Sequence, residues 1–191
     1  MKLGLLIQNI KSLRFFPALW VVKHSSKCDI VNYERDRWLE LNGITERGTR
    51  GFLILMSMFP EFRSLVYHRT GAKWLRHFAK GQTNLYFHTP SNKIGKGLVI
   101  WHGYSTVINA ESIGEDCMIW HNVTIGKKSI NPVNDRPIIG DNVRISTGSI
   151  VLGEITVAGG TTIAAGSVLI DSVTTKNALV AGIKAQEKSK L

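Results

Sequence analysis

The chain has 191 residues, enough for one domain with a buried core or for one domain and a smaller helical one. Apolar residues at 43%, charged residues at 20% and 18 glycines lie near the averages for folded domains, which excludes disordered, collagen-like and disulfide-scaffold classes. The formal charge of +10 is uneven: residues 1–90 carry 14 basic and 6 acidic side chains, a balance of +8, against 10 and 8, or +2, in the remainder. Such an excess suits a phosphate-bearing coenzyme or an anionic membrane surface. Nucleic acid is not expected as a partner, since no zinc-finger, RNP or helix-turn-helix signature accompanies the charge.

At the N-terminus Lys2, Lys11, Arg14 and Lys23 interrupt every apolar run, and no run reaches the roughly 18 residues needed to span a bilayer. No small-residue cleavage site follows, so the expected location is cytoplasmic, with peripheral membrane contact through this basic, apolar segment. Cys28 and Cys117 lie far apart without a CxxC context and read as reduced, partly buried thiols.

Residues 1–86 read as a helical region. Asp29 is placed to cap a helix carrying Ile30, Tyr33, Arg37 and Leu41 that ends near Asn42-Gly43. Pro60 suits the first turn of another, with Phe62, Leu65, Val66 and Arg69 following and Gly71 as its stop. A third short helix is predicted over Ala72 to Lys80.

From Ile94 the periodicity changes to six. Aliphatic residues fall at Ile94 and Ile100, at Val107, Ile113, Ile119 and Ile125, and at Ile139, Ile145, Val151, Val157, Ile163 and Leu169. One extra residue separates the first two groups and eight separate the last two. Small or β-branched residues often follow four positions later, as at Cys117, Val123, Val143, Ser149, Thr161 and Ser167. A helix cannot keep one face at a period of six, and a plain strand alternates every two residues. The solution is a coil of short strands with a corner every six residues and an aliphatic side chain inside each. Twelve such hexads at three per turn make about four rungs over residues 87–175, with a loop at 127–138 and a tail at 176–191.

Of the six histidines, His24, His68 and His77 fall in the helical half as surface or packing residues. His102 and His121 each follow an aliphatic by two positions, and their separation of 19 is one coil of eighteen plus the inserted residue. They are expected to stack on adjacent rungs about 4.8 Å apart, with Trp101 and Trp120 stacked likewise. Thr147 and Gly148 lie eighteen residues before Ala165 and Gly166, which sets small side chains in register on adjacent rungs. Small residues at corners are also what tight turns require.

The runs Ile94-Gly95-Lys96-Gly97, Ile113-Gly114-Glu115-Asp116, Val123-Thr124-Ile125-Gly126 and Ile139-Gly140-Asp141-Asn142 resemble the hexapeptide-repeat acyltransferases. The resemblance implies a mainly β fold, a left-handed parallel β-helix with an N-terminal α-helical region. Within that group the chain is similar to serine acetyltransferases and their relatives acting on surface polysaccharides. Trp101-His102-Gly103 resembles the stretch with their catalytic histidine, Asp135-Arg136-Pro137 the end of their extended loop, and Ile163 to Val168 with Val180-Ala181-Gly182 the coenzyme-lining coil and closing segment. Phe62-Arg63 and Tyr67-His68-Arg69 match the polysaccharide branch.

The resemblance implies acetyl-CoA as donor and His102 as general base, because an imidazole titrating near neutrality can take the proton of a hydroxyl as it attacks the thioester. His121, Trp101, Trp120, Asp36 and Arg136 are the expected acceptor-side residues, and Gly126, Thr147, Gly148, Ala165, Gly166 and Lys184 the donor-side ones, with Lys188 and Lys190 near the adenosine phosphates. A homotrimer with active sites between subunits is also implied. A zinc site of the carbonic-anhydrase type is not expected, since two histidines five apart are absent and no metal is called for.

Two departures bear on the acceptor. Serine acetyltransferases carry an aspartate directly before the catalytic histidine, where this chain has Trp101, and Phe87 or His88 occupies the place of the aspartate that orients it. Asp36, within Arg35-Asp36-Arg37, does resemble another serine-binding aspartate. An amino-acid zwitterion needs a charged partner at both ends. An indole beside the base instead suits the C–H face of a sugar. A sugar hydroxyl of a capsular or lipopolysaccharide unit is therefore favoured, with serine as the alternative and an amino sugar as a third.

Overall fold

The computed structural model describes residues 12–129 and 135–182. Helices α1 (Phe16–Lys23), α2 (Cys28–Leu41), α3 (Gly48–Met58) and α4 (Pro60–Thr70) form a cap, followed by a 3-10 segment over Lys73–His77. The strands are β1 (Leu85–Phe87), β2 (Val99–Trp101), β3 (Thr106–Ile108), β4 (Ser112–Ile113), β5 (Met118–Trp120), β6 (Thr124–Gly126), β7 (Ile138–Ile139), β8 (Arg144–Ile145), β9 (Ile150–Leu152), β10 (Thr156–Val157), β11 (Thr162–Ile163), β12 (Val168–Leu169) and β13 (Leu179–Val180). Every pairing among them is parallel, and they wind a left-handed, three-faced β-helix.

Each face stacks one apolar column into the interior, aliphatic throughout except at Phe87. Ile100, Ile119, Ile145, Ile163 and Val180 align on the first face. Phe87, Ile108, Ile125, Val151 and Leu169 align on the second. Ile94, Ile113, Ile139, Val157 and Val173 align on the third. The coil is thus five strands deep rather than four, because Leu85–Phe87 and Leu179–Val180 join it beyond the periodic hexads and outside the expected 87–175 limits. The small residues four after each aliphatic are buried as expected: Cys117, Val123, Val143, Ser149, Thr161 and Ser167 turn into the corners. Burial pushes the Cys117 thiol up to about 12, which leaves it a packing group, and Cys28 is also a free thiol.

One column position differs from the hexad count. Ile108, fully buried and paired with Ile125, fills the core in place of Val107, which faces outward and is half-buried. The interval from Ile100 to Ile108 therefore holds two extra residues, and the interval from Ile108 to Ile113 is one short.

The cap follows its start and stop signals in part. α4 begins at Pro60 and ends before Gly71, whose φ of 69° takes the left-handed turn that glycine tolerates. On α2 the residue before the helix is Lys27, and Asp29 sits inside the first turn, where its charge meets the helix dipole. The buried face of α2 is Val31, Glu34, Trp38 and Leu39, while Tyr33 and Leu41 are exposed. Tyr33 and Arg37 are aimed instead at a coil corner, where the Tyr33 hydroxyl lies 3.2 Å from Asp116 and Arg37 donates to the Asp116 carbonyl at 2.9 Å. α3 escaped the reading because Phe52-Leu53-Ile54-Leu55-Met56 is a continuous apolar run with no period. The expected helix over Ala72–Lys80 is the shorter 3-10 segment.

Two buried contacts fix cap to coil. The Trp38 indole donates to the Leu98 carbonyl at 3.0 Å. Arg69, at 0% side-chain exposure, pairs with Glu34 at 2.6 Å and donates to the carbonyls of Ser91, Ile94 and Gly95. Burial pushes the Glu34 carboxyl up to about 7, and the adjoining Arg69 guanidinium opposes that shift.

Candidate active site

The first and second faces meet in a column of corners. The lower three have one pattern: Asn122 at φ 57°, Gly148 at 71° and Gly166 at 68°, each turning the chain through the left-handed region. The uppermost is longer. Between Trp101 and Thr106 the chain passes His102 at φ 63°, Gly103 at 38° and Ser105 at 53°. The Asn122 N–H donates to the Tyr104 carbonyl at 2.9 Å, so Ser105 stands above Asn122 and Tyr104 above His121. His102 and Gly103 are the inserted pair, and they carry the His102 ring out of the column into solvent. Histidine is among the few side chains that take a positive φ at modest cost, and such backbone is common where a group must be presented.

The geometry refines the expected histidine stack. The His102 and His121 rings are 5.8 Å apart at 64°, edge to face, and the ring stacked on His121 is Tyr104 at 4.7 Å and 29°. Tyr104 was missed because counting from Val107 leaves no position for it; counting back from Ile108 places it over His121. The His121 Nδ1 is buried without a hydrogen-bond partner, a group with unspent capacity at the base of the corner. Trp101 and Trp120 are in register, with centroids 6.4 Å apart, and Trp101 also stacks on Trp38 of the cap at 6.4 Å. Trp101 is therefore partly taken up by the cap, and Tyr104, 47% exposed, is the open aromatic face beside His102.

Glu61, in the first turn of α4, is a second residue that the sequence did not single out. A Cβ on Gly103 would meet its Cγ at 2.9 Å, so its side chain lies against the residue after His102. Glu61 is 7% exposed and accepts no hydrogen bond among the described residues. No carboxylate among the described residues bonds to either imidazole. Phe87, expected near that position, stacks on His68 at 4.5 Å, and His88 pairs with Tyr86.

Below the histidines the expected donor-side residues line up. The Thr147 hydroxyl and the Gly148 N–H both donate to the His121 carbonyl, at 3.1 and 3.2 Å, and the Gly166 N–H donates to the Thr147 carbonyl at 2.9 Å. Thr147, Gly148, Ala165 and Gly166 therefore continue the column that carries Tyr104 and His121, beside which His102 stands. A Cβ on Gly166 would meet nothing within 4 Å, which leaves an open strip of backbone fitted to an extended chain such as pantetheine. Gly126 has no positive φ, and a Cβ there would come no closer than 3.9 Å to any atom, so neither conformation nor packing demands glycine at that position. Lys184, Lys188 and Lys190 lie outside the described residues, as do loop residues 130–134.

Two expected acceptor residues lie elsewhere in the chain. Arg136 pairs with Glu111, which also binds Lys93, at the corner between the second and third faces. Asp36 on α2 is held by the guanidinium of Arg35 at 2.8 Å through both oxygens. At the end of the loop, Asp135 accepts from the N–H groups of Lys128, Ser129 and Glu154 at 3.0, 2.7 and 3.0 Å. These bonds, led by that of Ser129, hold its carboxyl below the usual range.

A left-handed parallel β-helix with an N-terminal helical region is the architecture this chain shares with the solved serine acetyltransferases. The chain belongs to the hexapeptide-repeat acyltransferase family, on the serine acetyltransferase-like side. It is 35% identical over 148 residues to the serine acetyltransferase of Helicobacter pylori J99, covering 71% of this chain and 85% of that protein. It is 31% identical over 137 residues to that of Synechococcus elongatus, covering 65% and 55%. To WcaB of Escherichia coli K12, named for colanic acid biosynthesis as an acetyltransferase, it is 44% identical over 96 residues, covering 50% and 58%. The match thus spans little more than half the length of the last two relatives. No family model matches the sequence. Among solved structures the fold is shared with Neisseria gonorrhoeae serine acetyltransferase, at a TM-score of 0.64 and 21% identity over 90% of this chain and 70% of that one. A serine acetyltransferase in complex with CoA superposes at 0.59, with 21% identity over 83% and 68%.

Proposed function

We propose that the protein is an acetyl-CoA-dependent O-acetyltransferase whose acceptor is a sugar hydroxyl of a surface polysaccharide or its precursor. The observation that carries this reading is the enlarged corner, which sets His102 in solvent beside His121 and Tyr104 at the head of the open strip. Acetyl-CoA bound along Thr147, Gly148, Ala165 and Gly166 would supply an activated thioester, so no acyl-enzyme is needed. His102 takes the proton of the hydroxyl as it adds to the thioester carbonyl, and collapse of the adduct expels the CoA thiolate, which takes that proton from the imidazolium and leaves as the thiol. His121, whose Nδ1 lacks a partner, serves the oxyanion or the acceptor as a hydrogen-bonding group. Tyr104 offers the aromatic face for a sugar ring.

Two placements support sugar over serine. Asp36 already has its charge matched by Arg35, and the residue before His102 is an indole. The identity to serine acetyltransferases favours the second reading, L-serine as acceptor. A homotrimer with donor and acceptor strips completed by a neighbouring subunit, working in the cytoplasm, completes the proposal.

Thiol release from acetyl-CoA, measured with L-serine and with a panel of saccharides, separates the readings. Release with saccharide that is lost in His102→Ala supports the sugar assignment. Serine-dependent release transfers the enzyme to cysteine formation, and no acceptor-dependent release overturns both.

A further inference from the structure

Between α4, the 3-10 segment Lys73–His77 and β1 lies a cleft of about 200 Å³. Its position follows from strand register. Leu85 stands over Thr106, which sets Asn84, at φ 59°, over Ser105, so β1 enters the second face directly above the enlarged corner. Leu85 belongs to both places: it lines the cleft, and its Cδ2 would lie 3.2 Å from a Cβ on Gly103. Likewise α4 brings Glu61 against Gly103 and, farther along the helix, Ser64 and His68 to the cleft.

At three residues per turn, Lys73 and Arg76 share one side of the 3-10 segment, and both line the cleft together with His68, Tyr86 and His88. No carboxylate lines it, and residues 62–110 contain no Asp or Glu. Three other cations of that stretch are matched from outside it, Arg69 by Glu34, Lys93 by Glu111 and Lys96 by Glu115. Lys73 and Arg76 have no ion pair among the described residues. Burial, then the charges of Arg69 and Lys73, lower the His68 pKa to about 4, so that ring is neutral near neutrality and the fixed positive charge of the cleft is that of Lys73 and Arg76. The His68 Nε2 has no hydrogen-bond partner, which leaves polar capacity in a residue of the wall. The Tyr86 ring, 51% exposed, adds an apolar face and stacks on His88 with centroids 6.5 Å apart at 14°.

We propose that this cleft binds the anionic group, a carboxylate or a phosphate, of an acidic saccharide, with Lys73 and Arg76 as its charge partners and Tyr86 against the sugar ring. Two convergent cations with no carboxylate between them attract an anion, and guanidinium and ammonium both hold its oxygens by charge-assisted hydrogen bonds. The space is below the roughly 300–1,000 Å³ that drug-sized ligands fill and suits about one sugar unit. The proposed donor strip runs down the column from His121 to Gly166, away from β1, so the anion belongs to the acceptor side. Resting on the reading of His102 as base toward a sugar hydroxyl, the acceptor is then an acidic glycan gripped one rung above the reacting centre.

Calorimetric titration of the full chain with D-glucuronate, D-glucose 1-phosphate, D-glucose and inorganic phosphate, at one ionic strength, tests this. Both sugar anions, or the one whose charge the cleft prefers, should bind on the order of tenfold more tightly than glucose. Lys73→Gln with Arg76→Gln should remove that preference. Tyr86→Ala should weaken the sugar anions and leave inorganic phosphate as it was, with the parent's melting temperature kept in both variants. Equal binding of charged and neutral sugars, a double variant that binds as the parent does, or inorganic phosphate bound as tightly as either sugar anion overturns the proposal. Thiol release separates it from the reading it rests on. Anion binding lost in the double variant, with no release on any saccharide, upholds the cleft and overturns the sugar acceptor. Release on acidic saccharides at an unchanged KM in the double variant upholds the sugar acceptor and overturns the cleft.

Discussion

Cap and coil are held together by different physics. The coil repeats one unit, and each strand is satisfied by the rungs above and below it, so its stability is spread over five apolar positions on each face. The cap is irregular and depends on a few contacts that occur once: the Arg69–Glu34 pair with its three carbonyls, and the Trp38 indole on Leu98. Where the two meet, the repeat itself breaks. The extra pair His102-Gly103 lies between the Trp38–Trp101 stack and Glu61 of α4. Regular corners supply the scaffold, and the corner that departs from them, wedged under the cap, presents His102, the side chain proposed as the base.

The largest stability effect should come from cutting the buried ion pair that anchors the cap. Arg69→Met leaves Glu34 buried and unpaired and should cost about 3–5 kcal/mol in urea unfolding, while Arg69→Met with Glu34→Leu recovers much of that loss. A loss as small as that of a surface arginine would show that cap and coil share one diffuse interface.

In the coil, Gly166→Ala meets open space, so its cost is conformational alone, about 1–2 kcal/mol for a left-handed backbone. Gly126→Ala, at an ordinary φ with room for a Cβ and paired with Leu152 at the other end of the second face, should change stability by no more than about 0.5 kcal/mol. Equal stability losses at the two glycines would show that the left-handed turn costs nothing.

The smallest effect is a pH dependence of the cap. Burial first, then the charges of Arg69 and Lys73, lower the His68 pKa from 6.5 to about 4. At His68 the unfolded chain therefore binds more protons than the folded one between those values, so the contribution of this ring to stability falls as pH drops from 6.5 toward 4, while Glu34, raised to about 7, contributes in the opposite direction. With the ring partly open to solvent the loss should be on the order of 1 kcal/mol, and His68→Gln should flatten that part of the profile.

The coil was legible because a period of six has few other solutions, and Ile94 through Leu169 declare it without help from the cap. The placement of Val107 failed for a physical reason: two adjacent aliphatics, Val107 and Ile108, can both continue a broken count, and only strand pairing selects Ile108. That single shift hid Tyr104. His102 and His121 were visible as chemistry standing out from Gly, Ser, Thr and Val, but their edge-to-face geometry depends on an insertion the count read as one residue. In the cap, a charged residue on an apolar stripe gave no sign that Arg69 would be the buried anchor, because its partner Glu34 is 35 residues away. Glu61 was silent for the same reason, since its neighbour Gly103 lies on the far side of the cap–coil boundary.

The most direct test is the pH profile of kcat for thiol release with the best acceptor, measured on the parent, His102→Ala and His121→Ala. His102→Ala should lose on the order of 10²–10⁴ in kcat together with the ascending limb of the profile, while His121→Ala keeps that limb at a reduced rate. A His102→Ala enzyme that retains the limb and most of its rate, with the loss falling on His121→Ala instead, would contradict the assignment of the enlarged corner as the seat of the base.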